Sequence, residues 1–391
     1  MRKIINIASF SRSRLNQDAV KGSYYGWHSQ FARKLNGTID AHIESWSIDA
    51  ALPDEQRYEK DGVTYRLFPS GFFLAPGREL STALLNALKK EAREHEIVVH
   101  LHDYHNWQSY AVALTVNAPV VAHIHGATRR PIENLRNPRR WFAAPLFLVE
   151  QLFENAAIRR ICYFFLANMR ERKVYERRKL PFSFCPMAPE LGVFAPMDRS
   201  AARRTIGTDE QTKMLLNVGG FAAVKNLELL VRAFAELRKS VDAHLFMLGP
   251  TYSRVYQARI MAMIRRVGVE DAVQVVGMIS RERLNAYYNA ADALVVASSP
   301  GEGGPTVVLE ALAVGLPVVS TPVGFTRDIL PKAGGLLTLA DAPSSLASAL
   351  RTVLGSAVKH RVQCRPWTWD DVMRSVSSTY SRLFTTARTD T

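Results

Sequence analysis

From Asp292 to Ser320 the chain reads as one continuous strand–loop–helix–strand unit, and that order commits the segment to a parallel sheet. The apolar run Asp292-Ala-Leu-Val-Val-Ala-Ser298 has the composition of a buried strand. It feeds a glycine-rich loop, Pro300-Gly-Glu-Gly-Gly-Pro305. Pro305 suits the first turn of a helix, where its missing N–H has no intrahelical partner to lose. Gly315 and Pro317 stop that helix and open the next strand, Pro317–Ser320. A strand that returns through a helix lies parallel to the strand it left. The helix therefore starts at the carboxyl end of a strand, on a glycine loop, with its first amides unpaired, and such a start favours anions. Two carboxylates flank it, Glu302 in the loop and Glu310 in the helix, and both can reach hydroxyls of one ligand. A ligand that joins phosphates to many hydroxyls is a sugar nucleotide.

The same alternation fills both halves of the chain and predicts two parallel α/β sheets. The first half offers strands at Ile4–Phe10, His42–Trp46, Val63–Phe68, Ile97–Leu101, Val120–His125 and Ile161–Leu166. The second offers Met214–Val218, His244–Leu248, Val273–Val276, Ala293–Ala297 and Pro317–Ser320. Between the first two of these, Leu230, Ala233, Phe234 and Leu237 recur at helical spacing and form one buried face. Pro186–Asp198 is rich in proline, lacks helical period and marks the domain boundary. Two doubly wound domains joined there bind ligand at the carboxyl ends of their strands. A last helix is predicted over Trp367–Phe384, with Asp370 as N-cap and Val372, Val376, Tyr380 and Leu383 as its apolar stripe.

Composition narrows the class of partner. The 391 residues suffice for two domains, and no window reaches the roughly 18 apolar residues of a membrane span. The start, MRKIINIASFSRSR, reads as a first strand rather than a signal peptide. Cys162, Cys185 and Cys364 are scattered, without metal spacing or a disulfide framework, and fit a reducing cytoplasm. The net charge of +14 calls for anionic partners. No aromatic-basic repeat supports nucleic acid. The charge gathers between Arg129 and Lys179. Within that stretch Arg139–Phe153 sets arginines beside Trp141, Phe142, Leu148, Val149, Leu152 and Phe153 at helical spacing. Such a helix faces a core, or it lies on an anionic membrane with arginines on headgroups and aromatics below them.

The glutamate segment resembles the donor-site signature of the family-4 glycosyltransferases, retaining enzymes of the GT-B fold, also described as glycosyl transferases group 1. The resemblance implies that Glu302 contacts the donor sugar and that Glu310 holds the ribose hydroxyls. It puts the amides of Gly303, Gly304 and Thr306 against sugar and diphosphate. Leu216–Asn226 resembles the family's diphosphate segment, with Gly219 and Gly220 at the turn and Lys225 six residues after Gly219. The Lys225 ammonium is then expected to stabilise charge growing on the leaving phosphate. Gly220 stands where the family carries arginine, and Gly304-Pro305 where it usually carries Phe-Gly. Val120–Gly126 is similar to the family's strand–His-Gly segment, which brings His125 near the reacting sugar. Gly22 falls at the family's first glycine turn, before a helix at His28–Leu35, where the backbone approaches the donor phosphate.

His100, His102, Asp103 and His105 crowd together like metal ligands, with 100 and 102 on one face and 103 on the other. The resemblance implies transfer without a bound metal, so they are expected to form an acceptor-side loop and no metal site. It further implies a GT-B architecture of two Rossmann-like, doubly wound domains facing across a cleft. Residues 1–190 form the acceptor side, 191–370 the donor domain, and a final helix in 371–391 crosses back to the first. The expected activity is transfer of a sugar from a nucleoside-diphosphate sugar to a hydroxyl of a glycan or lipid-linked glycan in cell-surface polysaccharide synthesis. No cofactor is implied beyond the donor. The expected location is the cytoplasm, at the inner face of the membrane through Arg129–Lys179. A sugar-nucleotide epimerase and a non-catalytic nucleotide-sugar-binding protein are the alternatives.

Overall fold

The computed structural model describes residues 1–8, 27–49, 51–74, 78–125, 138–170, 172–189, 192–333, 336–337, 342–355 and 367–386. The chain divides into two compact units. One comprises Met1–Ala167, Glu171–Cys185 and Asp370–Thr391, the other Asn168–Arg170 and Pro186–Trp369.

The first unit is built on β1 (Arg2–Ala8), β2 (His42–Asp49), β3 (Gln56–Lys60), β4 (Val63–Pro69), β5 (Glu96–His102), β6 (Val120–Ile124), β7 (Tyr163–Leu166) and β8 (Phe182–Phe184). They form one sheet in the order β8-β7-β6-β5-β1-β2-β4-β3. Every neighbouring pair is parallel except β3 and β4. β3 carries no apolar run because it is an edge strand, polar and largely exposed. It is held by the antiparallel ladder and by Tyr58 stacked on Tyr65, with ring centroids 5.1 Å apart. Strand order reverses at β1, which has β2 on one side and β5 on the other. The carboxyl ends of β1 and β5 therefore bound this unit's crevice. Helices α1 (Trp27–Leu35), α2 (Thr82–Glu94), α3 (Trp107–Thr115) and α4 (Ala144–Ile158) accompany the sheet.

The second unit runs β9 (Lys213–Val218), β10 (Ala243–Leu248), β11 (Val273–Gly277), β12 (Ala293–Val296), β13 (Val318–Ser320) and β14 (Leu336–Leu337). Its sheet is parallel throughout, in the order β11-β10-β9-β12-β13-β14. Its helices are α5 (Arg199–Ile206), α6 (Leu227–Arg238), α7 (Arg254–Arg266), α8 (Arg281–Ala290), α9 (Thr306–Ala313) and α10 (Pro343–Gly355). Leu230, Ala233, Phe234 and Leu237 of α6 are fully buried against the sheet, the face predicted for them. Gly315, at φ +76°, ends the turn after α9 in the left-handed region. The reversal here lies at β9, between β10 and β12, and it aims their following loops at one crevice.

The chain closes with α11 (Trp369–Thr386), which belongs with the first unit from Asp370 onward. Two expectations for it need correction. Asp370 sits inside the first helical turn rather than capping it. The buried stripe is Val372, Val376, Tyr380 and Phe384, spaced by four, while Leu383 is only half-buried. Among the described residues no helix is long and apolar enough to cross a membrane.

Candidate active site

In the second unit, the loops after β9 and β12 meet. After Val218 the chain turns through Gly219 and Gly220 into a short 3-10 turn, Ala223–Lys225. Asn226, at φ +47°, then redirects it into α6. The loop from Ser298 to Gly304 is tied to this turn by its backbone, since Ser299 N–H donates to Val224 C=O at 2.8 Å. At that junction Lys225 Nζ lies 2.6 Å from Glu302 Oε2, and Ser298 Oγ lies 3.3 Å from the same oxygen. The ion pair is partly shielded, the two side chains being 24% and 14% exposed. Both proposed reacting groups thus stand at one strand-end junction, and each is the other's partner.

The glutamate loop is braced from beneath by residues distant in sequence. Asn168 Nδ2 donates to Gly303 C=O at 3.0 Å, and the Arg170 guanidinium donates to Pro300 C=O. Gly324, at φ +49°, lets the next turn pass under the loop; a Cβ there would lie 2.4 Å from Gly303 O. Pro305 precedes α9 in an extended conformation and no side chain caps the helix, whose Val308 N–H turns back to Pro305 C=O at 2.9 Å. One turn further on, Glu310 Oε2 accepts from Tyr288 Oη at 2.6 Å. Tyr288 is fully buried, and burial together with the adjacent carboxylate raises its phenol well above the usual value. It therefore stays a neutral donor that aims Glu310.

The carboxyl ends of β5 and β6 in the first unit carry histidines. His100, His102 and His123 are fully buried, while His125, just past β6, is half-buried. His123 and His125 have ring centroids 4.1 Å apart, His100 and His102 4.4 Å. His102 Nδ1 is 3.4 Å from His125 Nε2. Asp103, at φ +64°, turns back so that its Oδ1 accepts from the His125 N–H at 2.9 Å. Burial holds His100, His102 and His125 well below the usual histidine pKa, with neighbouring rings adding to the effect, and lowers His123 to about 4.

Residues 198–366 match the family described as Glycosyl transferases group 1. The second unit belongs to that group over this stretch. It is 29% identical over 320 residues to a D-inositol 3-phosphate glycosyltransferase of Kineococcus radiotolerans, covering 75% of this chain and 73% of that one. A protein of the same description from Actinosynnema mirum is 34% identical over 215 residues, about half of each chain. Among solved structures, the sucrose-phosphate synthase of Thermosynechococcus elongatus superposes with a TM-score of 0.71 at 20% identity, over 99% of this chain and 100% of that one. Anabaena HepE, solved with UDP and glucose, superposes with a TM-score of 0.68 at 14% identity, over 97% and 99%. At such identities the likeness establishes the fold, which is GT-B.

Several sequence expectations change in detail. His100 and His102 do not lie in a loop: they are the buried end of β5, His100 nearest His123 of β6 and His102 nearest His125 just past it. His105 lies elsewhere, 3.6 Å from Glu154. The core-facing alternative for Arg139–Phe153 fails. The buried side of α4 carries Phe147, Glu150, Gln151 and Glu154, whereas Leu148, Val149, Leu152 and Phe153 face outward with Trp141 and Phe142. The inward glutamates are held by partners: Glu150 takes Arg78 and the Trp107 indole N–H, the latter at 2.8 Å. Gly220 has no room for the family's arginine, because a Cβ there would lie 2.2 Å from the Tyr252 ring and 2.9 Å from Pro250 O. Gly22, Gly126, Arg129 and Arg136 lie outside the described residues. Sequence reading missed Tyr288, Asn168 and Arg170. Only Tyr288 left a trace, as a large polar-tipped residue on the buried side of α8.

Proposed function

We propose that this glycosyltransferase moves a sugar, with retention, from a nucleoside-diphosphate sugar to a hydroxyl of a lipid-linked glycan in cell-surface polysaccharide synthesis. The contact between Lys225 and Glu302 carries the reading. It sets a cation and a carboxylate at the carboxyl ends of β9 and β12, beside the uncapped start of α9. In the proposed mechanism the amides of Gly303, Gly304 and Thr306 and the turn at Gly219 and Gly220 surround the diphosphate. Lys225 moves from Glu302 to the phosphate as its charge grows, an interaction strongest in the transition state. Glu302 contacts the donor sugar and Glu310 holds the ribose. The leaving phosphate takes the acceptor proton, so neither a side-chain nucleophile nor a metal is required for transfer.

The outward face of α4 supports the lipid-linked acceptor and the peripheral membrane location. Phe142 is 88% exposed and Leu152 69%, on a helix whose polar residues point inward. A soluble surface does not ordinarily present such a continuous apolar face. Basic residues of the Arg129–Lys179 stretch are suited to the headgroups. The names of the curated relatives favour a second acceptor, a phosphorylated cyclitol. Thermal-shift screening of nucleotide sugars, followed by transfer assays with lipid-linked glycans and with inositol phosphate, separates the two. NMR of the product anomer tests retention. Isomerised donor in the absence of acceptor indicates an epimerase, and donor binding without turnover on any acceptor indicates a binding protein.

A further inference from the structure

The histidines of the first unit have a feature that sugar transfer leaves unused. His100, His102 and His123 each offer a ring nitrogen within 4.8 Å of the others, in the buried carboxyl ends of two adjacent strands. Two of the three already have the outer partners that metal-bound imidazoles usually have. His123 Nε2 lies 2.7 Å from the Cys185 carbonyl. A carbonyl only accepts, so Nε2 carries the proton and Nδ1 keeps a bare lone pair. That Nδ1 is buried and has no hydrogen-bond partner among the described residues. His100 Nδ1 is engaged by the Tyr380 hydroxyl, and its Nε2 is likewise buried without a partner among the described residues. Buried ring nitrogens of this kind are rare and call for a reason. Phe31 packs on His100 and His102 with centroids 4.8 and 5.2 Å away, and Phe165 stacks on His100.

We propose that His100, His102 and His123 bind one divalent transition-metal ion, with zinc the expected occupant, pinning β5 to β6 beneath His125. Neutral imidazoles suit zinc, copper and nickel rather than magnesium or calcium, and three of them are a sufficient zinc set when a fourth position stays open. Zinc–nitrogen bonds of about 2.0–2.1 Å require the nitrogens to draw closer than 4.8 Å, which small rotations of the three rings supply. The ion's part is structural: it satisfies the bare ring nitrogens of His100 and His123 and fixes the strand end that carries His125.

The test uses the untagged full chain. Metal is removed with a chelator, and the protein is titrated with Zn2+ against a chromophoric chelator, then with Co2+ as a spectroscopic probe. One equivalent of tightly bound Zn2+ is expected, with visible Co2+ bands of a low-coordinate nitrogen site. His123→Phe, which keeps an aromatic of similar size in the core, should weaken binding at least a hundredfold while retaining the wild-type circular dichroism. His105→Ala should bind as wild type does. Should His123→Phe fail to fold, His100→Phe and the Co2+ spectrum of the wild type decide in its place. Absence of a stoichiometric site in the wild type, or undiminished binding in a folded His123→Phe or His100→Phe protein, overturns the proposal. Either result leaves the donor-site reading standing, because UDP binding to the second unit is measured separately.

Discussion

Removing the charge of Glu302 should make the enzyme bind a free nucleoside diphosphate more tightly while it loses turnover. Lys225 is committed to Glu302 at 2.6 Å, so an incoming diphosphate must compete with a carboxylate for the ammonium. Two unit charges about 4 Å apart attract by about 4 kcal/mol at an effective dielectric constant near 20, before desolvation is counted. Because both side chains remain partly exposed, solvent screening and side-chain entropy reduce the net worth of the pair to about 1 kcal/mol. Glu302→Gln releases that amount to the ligand, which corresponds to roughly fivefold tighter binding of UDP. The same variant should turn over a nucleotide sugar far more slowly, because the carboxylate proposed to contact the sugar is gone. Isothermal titration of wild type, Glu302→Gln, Lys225→Met and the double variant forms a closed cycle. In the Lys225→Met background, the gain from Glu302→Gln should shrink to about twofold or less, leaving only relief of repulsion between carboxylate and phosphate. If Glu302→Gln binds UDP no more tightly than wild type, or if the gain persists undiminished without Lys225, then the pair does not gate the phosphate site.

Four further outcomes follow from particular contacts. Tyr288→Phe removes a buried donor to Glu310 and should lower stability by about 1.5–3 kcal/mol and weaken UDP binding, read by thermal shift and titration. Gly220→Arg should impair folding or UDP affinity because its Cβ meets the Tyr252 ring, whereas adding Tyr252→Gly should recover part of the loss. Leu152→Ser with Phe153→Ser should abolish the salt-resistant fraction of binding to anionic vesicles and leave UDP affinity unchanged, as measured by co-sedimentation at low and high salt. Burial pushes the Cys185 thiol up to about 12, so an alkylating reagent at about pH 8 should label exposed Cys162 in the native protein and Cys185 only after unfolding, as peptide mass spectrometry will show.

Strand positions and the glutamate loop were legible in the sequence because a buried parallel strand must be apolar along its whole length, and because a glycine–proline loop before a helix has few other readings. The edge strand Gln56–Lys60 was not legible, since its stability comes from a ladder to β4 rather than from burial. The inverted face of α4 was half legible. Helical spacing marked its apolar residues, but the side they face depends on Arg78 and Trp107 capturing Glu150, contacts 72 and 43 residues apart in sequence.

The sequence by itself determined the two parallel α/β halves, the glycine turns, and Lys225, Glu302 and Glu310 as the residues to watch. Each of these depends on local chemistry: apolar runs, backbone freedom and the unpaired amides at a helix start. Only the tertiary structure decided who partners whom. It joined Lys225 to Glu302 and Tyr288 to Glu310, laid Tyr252 over Gly220, and drew His123 of one strand to His100 and His102 of the next. The physical reason is that strand order, and with it the set of loops sharing one sheet end, is fixed by burial summed over the whole sheet and is written in no single segment.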